Sequence, residues 1–206
     1  ALANFNQMLV CAPASGLRTL DQLDAAARKT PGSLSYASGG QGVPGHLAME
    51  LYLAGAGLNV LHVPYKGPSP AAQDVLAGQV PCGFLASPVV ASYVTAGKLN
   101  GLAVSGSTRS TVAPDIPTMS QAGVAGYDAT FREMLFAPKG TPEAIVRRMN
   151  EEVARALARP DVKRKLQAND LDPLPQTPGD TARQLQEDAA KWLSLIHISE
   201  PTRRTP

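Results

Sequence analysis

The stretch Ser35 to Tyr52, SYASGGQGVPGHLAMELY, constrains this chain more than any other. A short apolar piece, Leu34 to Ala37, runs into Ser38-Gly39-Gly40-Gln41-Gly42, and a helix is expected from Pro44. Proline suits the first helical position, where a missing N–H costs nothing. Leu47 and Leu51, with Ala48 and Ala54 beside them, give that helix an apolar stripe. A strand, a glycine turn and a helix start aim several free N–H groups, and the positive end of a helix dipole, at one point. Such a point holds anions without a basic side chain.

The same rhythm repeats along the chain. Thr19 is a plausible N-cap for a helix through Leu20, Leu23 and Ala27. Strands are expected over Asn59–Val63, Val80–Leu85 and Leu99–Ser105, with helices between them from Ala71 and from Ser87-Pro88. Alternation of this kind indicates βαβ units and a mainly parallel sheet, hence an α/β fold. After a looser region, with one short helix near Ser120, Thr130 to Ala137 reads as a strand. Three helices follow, opened at Thr141-Pro142-Glu143, Pro160-Asp161 and Thr177 to Asp180.

Composition narrows the function. A formal charge of +2 and an aromatic content of 5% give no footing for nucleic acid. No apolar run reaches the length of a membrane span. Cys11 and Cys82 lie far apart without metal-ligand spacing, and two buried free thiols are the expectation, with a disulfide as the alternative. Gly40-Gln41-Gly42-Val43-Pro44-Gly45 matches G-x-G-x-x-G, but the acid expected at the tip of the next strand is missing: that strand ends His62-Val63-Pro64-Tyr65. No cofactor is expected.

His46, in the first helical turn, should stay neutral because the dipole opposes a positive charge there. It reads either as a half-buried cap for a neighbouring carbonyl or as a neutral donor to a bound carboxylate. His62 reads as structural. Tyr65 and Lys66 stand where a strand ends and a helix approaches, the usual ligand edge of an open α/β sheet; Lys66 is a rim residue or a solvated charge. Arg132, in an apolar strand, needs a partner: a structural carboxylate elsewhere or a ligand in a cleft. No carboxylate pair, Ser/His/Asp set or metal cluster emerges, so the chain reads as a binder rather than an enzyme.

Four segments, SLSYASGGQGVPGHLAMELY, VLHVPYKGPSPAAQDVLAGQV, LNGLAVSGSTRSTVAPDIPTMSQAG and LFAPKGTPEAIVRRMNEEV, together resemble the tripartite tricarboxylate transporter substrate-binding proteins, the Bug receptors. HVPYKG and DIPTMSQAG are the strongest markers, and the likeness runs in order from Met8 to Trp192. The resemblance implies a periplasmic binding protein of the type II fold, closing on a small organic carboxylate and passing it to a membrane permease. It implies a monomer when intact, and a secretion signal upstream of this chain. Carried over onto matching positions, the ligand-binding set is Ser38, Gly40, Gln41 (where Asn is usual), Gly42 and His46. Tyr65, Lys66 and Arg132 join it from the residue-level reading. Val43 and Pro44 replace hydroxyl donors common in relatives, Leu85 replaces an acid or amide, and Arg132 replaces an aromatic. Two other readings compete: an effector-sensing domain of a transcriptional regulator with the same fold, and an α/β enzyme using His46.

By the same resemblance, residues 13–127 form a complete second lobe, and residues 1–12 with 128–193 form crossing strands and part of the first lobe. Apolar stripes on the helices bearing Ile145 and Trp192 should then be exposed. Residues 194–206 interrupt an amphipathic helix; Ser194 to Arg203 resembles the in-frame translation of a sequencing adapter.

Overall fold

The computed structural model of the protein describes residues 1–199. Its strands are β1 (Ala3–Phe5), β2 (Gln7–Cys11), β3 (Ser35–Ser38), β4 (Leu61–Pro64), β5 (Cys82–Ala86), β6 (Asn100–Val104), β7 (Phe131–Glu133) and β8 (Leu171–Pro173). Its helices are α1 (Leu20–Lys29), α2 (Pro44–Ala56), α3 (Pro68–Leu76), α4 (Ser87–Thr95), α5 (Glu143–Ala158), α6 (Pro160–Gln167) and α7 (Pro178–Ser199).

The strands form two sheets, ordered β4-β3-β5-β2-β6 and β7-β1-β8. In the larger one β3 runs parallel to β4 and β5, as the alternation predicts, but β2 is antiparallel to both β5 and β6. The exception has a simple origin. Only Asn6 separates β2 from β1 of the other sheet, so no crossover helix sets its direction.

Side chains alternate across the larger sheet, as strand geometry requires. Leu9, Cys11 and Phe84 face α1 and α2, where Leu23, Met49 and Tyr52 complete one core. Met8, Val10 and Leu85 face the other way, against Val75 of α3 and Val90 of α4. Burial on both faces explains why these strands read as continuous apolar runs. Thr19 caps α1 as expected, its Oγ1 accepting from the Gln22 N–H at 3.3 Å. The short helix expected near Ser120 is a turn.

The cysteines are not free thiols. Register places Cys11 directly opposite Cys82, and their sulfurs are bonded at 2.00 Å. Spacing along the chain carries no record of which strands become neighbours, so the free-thiol expectation fails for want of register.

The smaller sheet is antiparallel throughout and lies under α7, where Trp192 stacks on Phe131 with ring centroids 5.1 Å apart. Trp192 is thereby half-buried, while Leu185, Ala189 and Leu193 of the same stripe are exposed, as expected. The stripe on α5 does face solvent: Ile145 is 54% exposed and Met149 50%, beside Leu185 of α7 at 43%. With Leu135 and Phe136 they line an apolar groove of about 610 Å³. Helix α7 continues past Leu193 to Ser199, and Leu195 is buried. The remainder of the adapter-like string, residues 200–206, lies outside the described residues.

Candidate functional site

The turn that joins β3 to α2 sits at the edge of the larger sheet where β3, β4 and β5 all end. It is gripped by its own protein, and the grip has a direction. The carbonyls of Ser38 and Gly39 accept from the N–H groups of Tyr65 (3.0 Å) and Gly67 (2.9 Å), and the Gly40 carbonyl accepts from the Ser38 hydroxyl at 2.9 Å. Helix α2 has no side-chain cap on its first turn, and the N–H groups of Val43, Gly45 and His46 find no partner among the described residues. Unpaired donors at a helix start are groups to which negative charge can bind.

Two glycines make this geometry possible. Gly40 has φ +142°, a conformation that side chains other than glycine rarely adopt. Gly45 is buried so close to β5 that a Cβ there would lie 2.0 Å from the Phe84 carbonyl oxygen.

Two amides of the turn are already used. The Gly40 N–H donates to Ser38 Oγ at 3.2 Å, and the Gly42 N–H donates to His46 Nδ1 at 3.0 Å. The Ser38 side chain is fully buried, and its Oγ also lies 2.7 Å from His62 Nε2. His46 stacks on His62 with centroids 4.1 Å apart, and Tyr36 stacks on the far side of His62 at 4.9 Å. Tyr36 donates its hydroxyl to Glu50 Oε1 at 2.9 Å, and His46 Nε2 lies 3.9 Å from the same oxygen.

Burial keeps this cluster uncharged at its centre. It lowers the pKa of His46, partly opposed by Glu50, and with the neighbouring His46 ring it pushes His62 down to about 4. Burial and the Glu50 carboxylate push the Tyr36 phenol up. Neutral His46 agrees with the reading from its place on the helix; its Nδ1 caps an N–H, that of Gly42, rather than its ring capping a carbonyl, and its Nε2 is 3.9 Å from Glu50, beyond hydrogen-bond reach.

The other candidate residues divide. Gln41 is exposed at the tip of the turn. Tyr65 buttresses from below: its N–H holds Ser38, and its hydroxyl donates to Asp74 Oδ2 at 2.6 Å, which pushes its pKa up to about 12. Lys66 is exposed beside it. Arg132 is elsewhere. On β7 its Nη1 donates to both oxygens of Asp188 on α7, at 2.9 and 2.8 Å. Of the two alternatives left open for Arg132, the structural pair is the one formed, and the turn receives no cation from it.

Sequence reasoning passed over Tyr36 and Glu50, and read His62 as structural without finding its partners. Alternation along β3 and β4 puts Tyr36 level with His62 in parallel register, and Glu50 stands one helical turn beyond His46. Both spacings are visible in the sequence; that the helix lies over the strand pair is not.

Residues 1–200 match the family profile described as the tripartite tricarboxylate transporter family receptor. The chain is 35% identical over 195 residues to the UPF0065 protein in the tcbD–tcbE intergenic region of Pseudomonas sp. strain P51, covering 94% of this chain and 58% of that one. It is 31% identical over 189 residues to Protein BugT of Bordetella pertussis, covering 92% and 58%. It thus spans less than three fifths of the length of these curated relatives. Among solved structures it resembles R. palustris Rpa4515 with adipate, at TM-score 0.87 and 29% identity, over 94% of this chain and 65% of that one. It also resembles MatC from Rhodopseudomonas palustris with bound malate, at TM-score 0.81 and 27% identity, over 95% and 68%. Sequence profile, relatives and fold agree, and the chain belongs to the tripartite tricarboxylate transporter family of receptors.

Proposed function

We propose that this chain is the anion-gripping part of an extracytoplasmic receptor that captures a small carboxylate for a tripartite tricarboxylate-type permease. The observation that supports it best is the polarity of the turn after β3: three carbonyls drawn inward by Tyr65, Gly67 and Ser38, and unpaired amides at Val43, Gly45 and His46. One carboxylate of the solute would be held by these amides, beside Gln41 and Lys66. Residues 13–127 would act as one lobe. Residues 1–12 and 128–193 would supply the crossing strands and part of the other, which closes over the solute.

Two similar proteins are solved with adipate and with malate, both dicarboxylates. The Cys11–Cys82 disulfide fits an oxidising compartment such as the periplasm. The family consists of receptors, and the fully buried Ser38 beside His62 is placed to hold the turn, not to attack a substrate. The test is calorimetric titration of the full-length receptor containing these residues with acetate, malate, adipate and citrate. Saturable heat with at least one is expected. No heat from any of the four, together with binding of a sugar or nucleotide, would overturn the assignment.

A further inference from the structure

The binding turn is held at two separate points by two imidazoles that touch each other. His62 Nε2 lies 2.7 Å from Ser38 Oγ, and that oxygen bonds both the N–H and the carbonyl of Gly40. His46 Nδ1 accepts from the Gly42 N–H at 3.0 Å. The rings stack at 4.1 Å, with Tyr36 closing the stack beneath His62. One grip comes from β4 and the other from α2, and they meet over the glycines that bend the chain.

We infer that the stacked pair His46–His62 is a positioning device for the carboxylate cradle, with His62 acting on it through Ser38. The inference rests on the proposed function. It goes beyond it by assigning ligand affinity to a residue that need not touch the ligand.

We assign the tautomers that satisfy all of these contacts at once. Ser38 has one hydroxyl proton, and giving it to the Gly40 carbonyl leaves Oγ to accept from His62 Nε2–H. His46 must leave Nδ1 bare to accept from Gly42, so its proton sits on Nε2. Both rings are thus neutral Nε2–H tautomers, and each fixes a glycine whose φ is positive: +142° at Gly40 and +73° at Gly42. Loosening either contact gives these flexible residues back their freedom, and the order would have to be restored whenever a ligand binds.

The experiment uses His62→Phe and His62→Gln in the full-length receptor. Phenylalanine keeps the stack on His46 and Tyr36 but loses the bond to Ser38; glutamine keeps an N–H near the position of Nε2. Affinity for malate or adipate, whichever the wild type binds, should fall about tenfold in His62→Phe, the scale of one hydrogen bond, and recover at least partly in His62→Gln. The amide resonances of Gly40 and Gly42 should shift in the first variant and return in the second. Unchanged resonances and affinity within twofold in His62→Phe would overturn the inference. If the wild type binds no carboxylate, the functional assignment fails, and the glycine resonances still decide whether His62 orders the turn. Should His62→Phe not fold, the imidazole nitrogen shifts of the wild type decide: protonated Nε2 and bare Nδ1 on both rings are expected, and the opposite tautomer on either one refutes the arrangement.

Discussion

Cys11 and Cys82 face each other across β2 and β5, joined by a disulfide whose two ends lie 71 residues apart in sequence. The loop it closes contains α1, β3, α2, β4 and α3, and therefore the whole turn proposed to hold the ligand. In the chain-entropy picture a closed loop of this size stabilises by about 4 kcal/mol through the unfolded state. Both sulfurs are in the core, so alanine at both positions should also leave a small void. Urea denaturation of the oxidised protein against a Cys11→Ala, Cys82→Ala variant should show that loss. Two thiols titrating in unreduced, unfolded protein would contradict the bond.

Acidification should weaken the fold through His62. Its pKa is pushed from 6.5 down to about 4, so between these values the unfolded chain takes up a proton that the folded chain refuses. Stability from this source is complete above about pH 6.5, declines as pH falls through the window, and stops changing below about 4. His46, lowered in the same direction, adds to the slope. Comparing urea midpoints of wild type and His62→Gln from pH 7.5 to 4.5 isolates the effect: the variant's curve should be flatter. Parallel curves would show that the ring is not buried neutral.

Gly45→Ala should damage fold and binding together. Its methyl group would lie 2.0 Å from a backbone oxygen of β5, and backbone cannot swing aside as a side chain can. Helix α2 must lift, at a cost of about 3 kcal/mol by the scale of overpacked cores. Thermal unfolding and a carboxylate titration on the same sample would register both losses. A fully stable, fully binding variant would mean that α2 does not press on Phe84.

Arg132 supplies the opposite expectation. Its side chain and that of Asp188 are both largely buried, and removing one partner strands the other. Asp188→Asn should cost about 2 kcal/mol, on the scale of hydrogen bonds to charged groups. Carboxylate affinity in the full-length receptor should stay within twofold. A large loss of affinity at unchanged stability would return Arg132 to the ligand.

The apolar groove between α5 and α7 predicts behaviour in solution. Leu135, Phe136, Ile145, Met149 and Leu185 together expose a contiguous greasy surface. The 206-residue chain should bind a hydrophobic dye and associate with rising concentration, by light scattering. Ile145→Lys with Leu185→Glu should reduce both.

How much of this was legible beforehand follows from what each feature depends on. Pro44 opening α2 and Thr19 capping α1 are local chemistry, and local chemistry is written in consecutive residues. The position of the β3–α2 turn at the sheet edge was legible for the same reason, since strand, glycines and helix adjoin. The partners of Cys11, Arg132 and His62 were not. Each lies on another strand or helix, and register or helix docking decides which side chains meet. The direction of β2 was hidden likewise, because it depends on the chain entering from the second sheet.

Asn6 is the single residue between β1 and β2, which belong to different sheets. It is buried, its carbonyl accepts from the Ser87 N–H at 3.1 Å, and its side-chain amide donates to the Thr108 carbonyl at 3.3 Å. The up-and-down order of side chains passes through it without a break. Lengthening or shortening the chain by one position here would turn Phe5 away from Phe131 and, along with it, every residue of β1 to the wrong side. The phase between the two sheets is thus stored in one amino acid, and this is the connection least able to accept an insertion.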